Sequence, residues 1–185
     1  MSAVVVNAIS VKEGGSLVVL RELLAGMAAL RPGWRWHVVV NSKVSDSLCV
    51  PPNVKTICFP VVDRSALQTR LWYETSLLSL ASRVGADLLL SLTNYLPLRR
   101  MPCPTLLLVQ HAGHFSPVFR RLTEDRLGIA GQAAWRLKGR WVRSSVLVAD
   151  KVVVQTAALA RQPFVREPRG VDLQPLPYKP GLQAE

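Results

Sequence analysis

Short apolar runs rich in β-branched residues alternate along this chain with longer stretches of helical period. Val4-Val5-Val6-Asn7-Ala8-Ile9 is the first, and its continuous apolarity suits a strand covered on both faces. A Gly14-Gly15 turn follows, and Ser16 is placed to cap the next helix, along which Val18, Leu20, Leu23, Leu24, Met27 and Leu30 keep helical spacing up to the breaker Pro32-Gly33. Residues 36–40 and 54–59 read as the second and third strands. The helix predicted after Asp63 carries Leu67, Leu71, Leu78 and Ala81 on one stripe. Residues 86–92, 105–109 and 151–155 predict three more strands. A basic, mostly helical stretch covers residues 117–149, and a short segment at residues 156–161 follows the last strand.

Strands separated by helical segments favour βαβ crossovers. The predicted fold is therefore α/β: a Rossmann-like parallel sheet flanked by helices. The expected domain covers residues 1–162. Residues 163–185, rich in proline, glutamine and charge, read as an extended tail. The 185-residue length suits one such domain, and no apolar run approaches the roughly 20 residues of a membrane-spanning helix. The start lacks the basic segment of a secretory signal. Cys49, Cys58 and Cys103 are odd in number without C-x-x-C spacing, so they are expected to be reduced, partly buried thiols of a cytoplasmic protein.

Charge changes this picture. The net charge is +11, with arginine far exceeding lysine, and such a field attracts anionic lipid, phosphorylated substrate or nucleic acid. Arg136, Arg140 and Arg143 fall at i, i+4 and i+7 on one helical stripe, with Trp141, Leu137 and Ala134 grouped on an adjoining face. That layout fits a solvated surface, a hold on a phosphorylated acceptor, or a face resting on the inner side of an anionic membrane. The alternative function it raises is a non-catalytic basic α/β domain docking on such a membrane or on a partner protein. Nucleic acid is disfavoured, because no reading helix, RNP-type strand or zinc knuckle is present.

Ligands of open parallel sheets bind beyond the carboxyl ends of the strands. Gly14 and Gly15 follow the first strand and precede a helix, where backbone amides can approach a phosphate; a plain turn explains them equally well. The spacing is not G-x-G-x-x-G, which argues against a dinucleotide fold. Gln110-His111-Ala112-Gly113-His114 follows the fifth strand. His111 is the candidate catalytic residue, able to hydrogen-bond an acceptor hydroxyl, with a structural histidine as the competing reading. His114, Arg120 and Arg121 are candidate acceptor or anion contacts. No carboxylate or thiol is grouped with the histidines, so no metal is expected. Ser10 and Ser91 lack a nucleophile elbow, and no P-loop occurs.

The order of a Gly-Gly turn after the first strand, a strand starting at Ala86-Asp87, His111, Lys151-Val152-Val153-Val154-Gln155-Thr156 and Arg169-Gly170-Val171-Asp172 resembles the N-terminal domain of family 4 glycosyltransferases. The resemblance covers most of residues 4–172. It implies one half of a GT-B fold, whose two Rossmann-like domains form a cleft, and retaining transfer of a hexose from a nucleotide-sugar to a hydroxyl acceptor without a cofactor or a required metal. By position, Gly14 and Gly15 would face the donor phosphates and His111 the transferred sugar and acceptor. Residues 163–185 would begin the crossover to the second domain. That domain, which holds the family's basic pair and its paired-glutamate motif, has no room in this length, and residues 155–172 are short for the usual helix and strand. The resemblance thus implies a truncated or natural half-length chain, inactive alone, whose open cleft face awaits a C-terminal domain or a second copy.

Overall fold

In a computed structural model of the chain, the described residues are 2–45, 48–59, 65–110, 112–155 and 159. Six strands, β1 (Ala3–Asn7), β2 (Arg35–Val40), β3 (Val54–Cys58), β4 (Leu88–Ser91), β5 (Thr105–Val109) and β6 (Lys151–Val154), form one sheet. All pairs are parallel, in the order β3-β2-β1-β4-β5-β6. This is the predicted Rossmann-like α/β architecture. The continuous apolarity of the strands has the expected cause, since alternate residues enter two separate cores. Val5, Val39, Leu89, Leu107 and Val152 face one side. Val4, Val38, Leu90 and Leu108 face the other.

Helix α1 (Gly15–Leu30) covers the second of these faces through Leu20, Leu24 and Ala28, an i, i+4, i+8 row. That row corrects the predicted stripe, because Val18 and Leu30 point off it into solvent. Ser16 is not the cap. The N-cap is Gly14, with φ 65° and ψ −146° and no side-chain hydrogen bond. The helix thus starts before Ser16, whose hydroxyl donates backward to the Glu13 carbonyl at 3.1 Å. Between β2 and β3 lies the single turn α2 (Ser42–Ser45).

The other face is covered by α3 (Ala66–Glu74), α4 (Ser76–Val84) and α6 (Ile129–Val148), with α5 (Pro117–Glu124) preceding the last of these. The single helix expected after Asp63, itself outside the described residues, is broken at Thr75. Trp72 and Tyr73 take the core positions, and the predicted stripe residues Leu67 and Leu71 are 78% and 61% exposed. The aromatic pair has more apolar area to bury than two leucines, and the break resets the phase so that Leu77, Leu80 and Ala81 also turn inward. Trp141 departs from its predicted grouping in the same way: it packs into the core with Tyr73 and Tyr95, whereas Leu137 and Ala134 are exposed. β4 begins at Leu88 rather than Ala86, since the Asp87 carboxylate accepts the Ala3 amide at 2.9 Å ahead of the ladder. All three cysteines are free, but only Cys103 is buried; Cys49 and Cys58 are exposed. Residues 160–185 and most of 156–159 lie outside the described residues.

His37 sits on β2 with neither ring nitrogen hydrogen-bonded. Burial, with Arg35 and Lys55 beside it, holds its pKa below the ordinary 6.5. The unfolded chain therefore takes up a proton below that value which the native chain refuses, so stability falls as pH drops through the histidine range. His37→Phe is expected to flatten that fall without loss at neutral pH. Parallel thermal melts across the range test it, and identical slopes for the two proteins would contradict it.

Candidate functional site

The chain order reverses between β1 and β4, and a crevice for ligand opens at such a point beyond the carboxyl ends of the strands. Asn7 closes β1 there and is fully buried. Its Nδ2 donates to Ser91 Oγ at 3.2 Å and Thr93 Oγ1 at 3.4 Å, while its Oδ1 accepts the Ile9 amide at 3.3 Å. Thr93 Oγ1 lies 2.6 Å from the Tyr73 hydroxyl, and Ser91 Oγ donates to the Tyr95 carbonyl at 2.7 Å. Burial pushes the Tyr73 phenol up to about 12, more than its hydrogen bonds to Thr93 and neighbouring side chains pull it down. The floor of the crevice is therefore a neutral, satisfied polar network. Ser91, already without an elbow in sequence, is engaged in that network.

One wall is the β1–α1 loop. Asn41, at the end of β2, donates from Nδ2 to the carbonyls of Ile9 and Val11 and accepts the Lys43 amide at 3.0 Å. With Ile9 and Val11 buried, the root of the loop is held, and its tip, Lys12 to Gly15, stands in solvent. Gly14 needs to be glycine for its positive φ. A Cβ added at either glycine would meet nothing within 4 Å, so at Gly15 the fold itself imposes no such demand.

The opposite wall joins β4 to β5. Asn94, with φ 62°, accepts the Gln110 amide on Oδ1 at 2.7 Å, and Gln110 Nε2 donates to the Leu92 carbonyl at 3.1 Å. His111, the next residue, lies outside the described residues. Beyond it a 3₁₀ turn (Ala112–His114) places the His114 imidazole on Trp135 of α6, centroids 4.1 Å apart and 28° from parallel. His114 is thus held half-buried against a helix. Arg120 and Arg121 are exposed on α5, and Arg136, Arg140 and Arg143 are exposed on α6.

The crevice accordingly brings together the Gly14-Gly15 loop and the β4 and β5 ends; the α6 arginines form a separate face. Sequence reasoning overlooked Asn7, Asn41, Thr93 and Asn94. The available signal was an asparagine directly after each of the apolar runs Val4–Val6 and Val38–Val40. A second hollow, of about 730 Å³, lies at the amino end of β5 among Leu96, Arg99, Arg100, Cys103, Thr105 and Asp150. It is at the wrong edge for the ligand crevice of a parallel sheet, and its Cys103 thiol is raised by burial and then by Asp150 and Asp87, which disfavours the reactive thiolate. Among the described residues, no three His, Cys, Asp or Glu side chains cluster as metal ligands, and no helix is long and apolar enough to cross a membrane.

No protein-family model and no curated protein sequence matches this chain. Among solved structures it is similar to UDP-glucose:anthocyanidin 3-O-glucosyltransferase in complex with UDP, with a TM-score of 0.53 and 12% identity. The match takes in 89% of this chain and 49% of that one, so this chain spans about half the length of its structural neighbour. The chain has a glycosyltransferase-like Rossmann α/β fold.

Proposed function

We propose that this chain is the acceptor-side half of a retaining GT-B glycosyltransferase of the family 4 type, moving a hexose from a nucleotide-sugar to a hydroxyl acceptor once a donor-binding domain completes the cleft. The observation that carries the reading is the fold likeness to a glucosyltransferase over most of this chain and half of the other. The β1/β4 crevice, rimmed by the exposed Gly14-Gly15 loop, supports it. In this reading residues 1–162 are the acceptor-side domain and residues 163–185 enter the crossover.

The chemistry follows from charge. Cleaving the bond between sugar and diphosphate builds negative charge on the leaving oxygens, and preorganised donors aimed there lower the barrier most. On this half the amides of Gly14 and Gly15, at the uncapped start of α1, would supply part of that field. His111 would hydrogen-bond the acceptor hydroxyl or the transferred sugar, and His114, Arg120 and Arg121 would hold acceptor or anion nearby. The remaining cationic groups belong to the second domain, so the isolated chain should turn over weakly or not at all.

Amide resonances of the labelled chain, followed during titration with UDP-, GDP- and ADP-glucose, test the site. Weak, unsaturated shifts at Gly14 and Gly15 are expected, with no measurable heat in calorimetry. Silence of both glycines would remove Gly14 and Gly15 from the donor side of the cleft, and ordinary turnover without added protein would overturn the reading.

A further inference from the structure

The 20 residues of α6 make a rod about 30 Å long with two unlike sides. Its inner side is anchored: Val142, Ser145 and Val146 are buried, and Ser145 Oγ accepts the Leu96 amide at 2.9 Å. At about 100° per residue, Ile129, Arg136, Arg140, Arg143 and Leu147 share the opposite side, with Leu137 at its margin. All are exposed, Ile129 by 89%, Leu147 by 71% and Leu137 by 68%. No aspartate or glutamate occurs between Arg126 and Ala149. A solvated helix face ordinarily mixes both signs of charge and carries few large aliphatics. This one interleaves cations with aliphatics. The preceding α5 repeats the pattern with exposed Val118 and Leu122 beside Arg120 and Arg121.

We propose that the outer side of α6 docks on the surface of an anionic phospholipid bilayer, with the helix lying in the plane of the interface. The arginines meet headgroup phosphates, and Ile129, Leu137 and Leu147 enter the acyl boundary, which is the division of labour of an interfacial amphipathic helix. A nucleic acid would satisfy the charge but leave the aliphatics exposed. On α6 the aromatic rings that could stack on bases are turned away, Trp141 into the core and Trp135 onto His114. The inference is independent of the proposed sugar chemistry.

Co-sedimentation of the full chain with vesicles of phosphatidylcholine, with and without phosphatidylglycerol, tests it. Binding is expected only when phosphatidylglycerol is present. With an arginine near such a surface contributing about 1 kcal/mol, replacing Arg136, Arg140 and Arg143 together by glutamine should weaken partitioning on the order of a hundredfold. Leu137→Ser with Leu147→Ser should weaken it also in salt high enough to screen the charges. Circular dichroism should be unchanged, since all five side chains are exposed. Equal binding to both vesicle types, which needs no variant to fold, would overturn the proposal. So would full binding by the arginine variant, or retention on duplex DNA without vesicle binding, which marks a nucleic-acid face.

Discussion

Trp141→Ala is expected to destabilise the chain by about 3 kcal/mol, the low end of the range for removing a large aromatic from a core. The indole lies 4.3 Å from the Tyr95 ring and 5.0 Å from the Tyr73 ring, with the Arg70 guanidinium 4.4 Å above it. Its Nε1 donates to the Leu96 carbonyl at 2.9 Å, tying α6 to the segment that follows β4. Truncation therefore opens a void between α6 and the core and leaves Leu96 without its donor. Trp141→Phe keeps most of the ring contact and should cost about 1 kcal/mol, the net value of the hydrogen bond. Urea midpoints measure both. The glutamine variant of Arg136, Arg140 and Arg143 is the control, expected within about 0.5 kcal/mol of the parent because those side chains are exposed. A control as unstable as Trp141→Ala would mean that the inner and outer sides of α6 are assigned the wrong way round.

Asn7→Ala should cost nearly as much, about 2–3 kcal/mol, although it removes little apolar surface. Three partners lose their bonds at once: the Ser91 and Thr93 hydroxyls and the Ile9 amide. Water cannot readily replace them, because Asn7 and Ser91 are fully buried and Thr93 is 5% exposed. The loss should be local, raising amide exchange along the β1–α1 loop and the end of β4 before the rest of the sheet. Hydrogen exchange and a denaturant titration measure the two parts. A midpoint unchanged from the parent would show that the network is not a structural floor for the crevice.

Much of the architecture was legible along the chain. The apolar runs at Val4–Val6, Trp36–Val40, Leu88–Leu90, Thr105–Val109 and Lys151–Val154 all became parallel strands, since burial on both faces leaves a continuous apolar signature that needs no knowledge of neighbours. Glycines and prolines likewise marked where α1 begins and ends. The Gly14-Gly15 turn and Gln110 were readable as strand-end groups because polarity changes abruptly there.

Helix faces were less legible. Leu67 and Leu71 fit a helical stripe as well as Trp72 and Tyr73 do, and only competition for one apolar sheet face put the aromatics inside. Ser16 had the chemistry of a cap, but the positive φ of Gly14 started the helix too early for it. Asn7 meets Ser91 and Thr93 across 84 and 86 residues, and no local pattern ties a strand-end asparagine to hydroxyls that far away.

By itself, then, the sequence determined the α/β class, the parallel strands, the polar groups at the strand ends and the basic character of residues 117–149. These depend on local period, turn chemistry and composition. The tertiary structure alone decided that β4 lies beside β1, that Asn7 is spent on a buried floor, and that the stripe of Arg136, Arg140 and Arg143 points outward while Ile129 and Leu147 beside it stay exposed. The physical reason is that side-chain orientation is settled by which surfaces compete to leave water when distant segments meet, a choice that no single segment encodes.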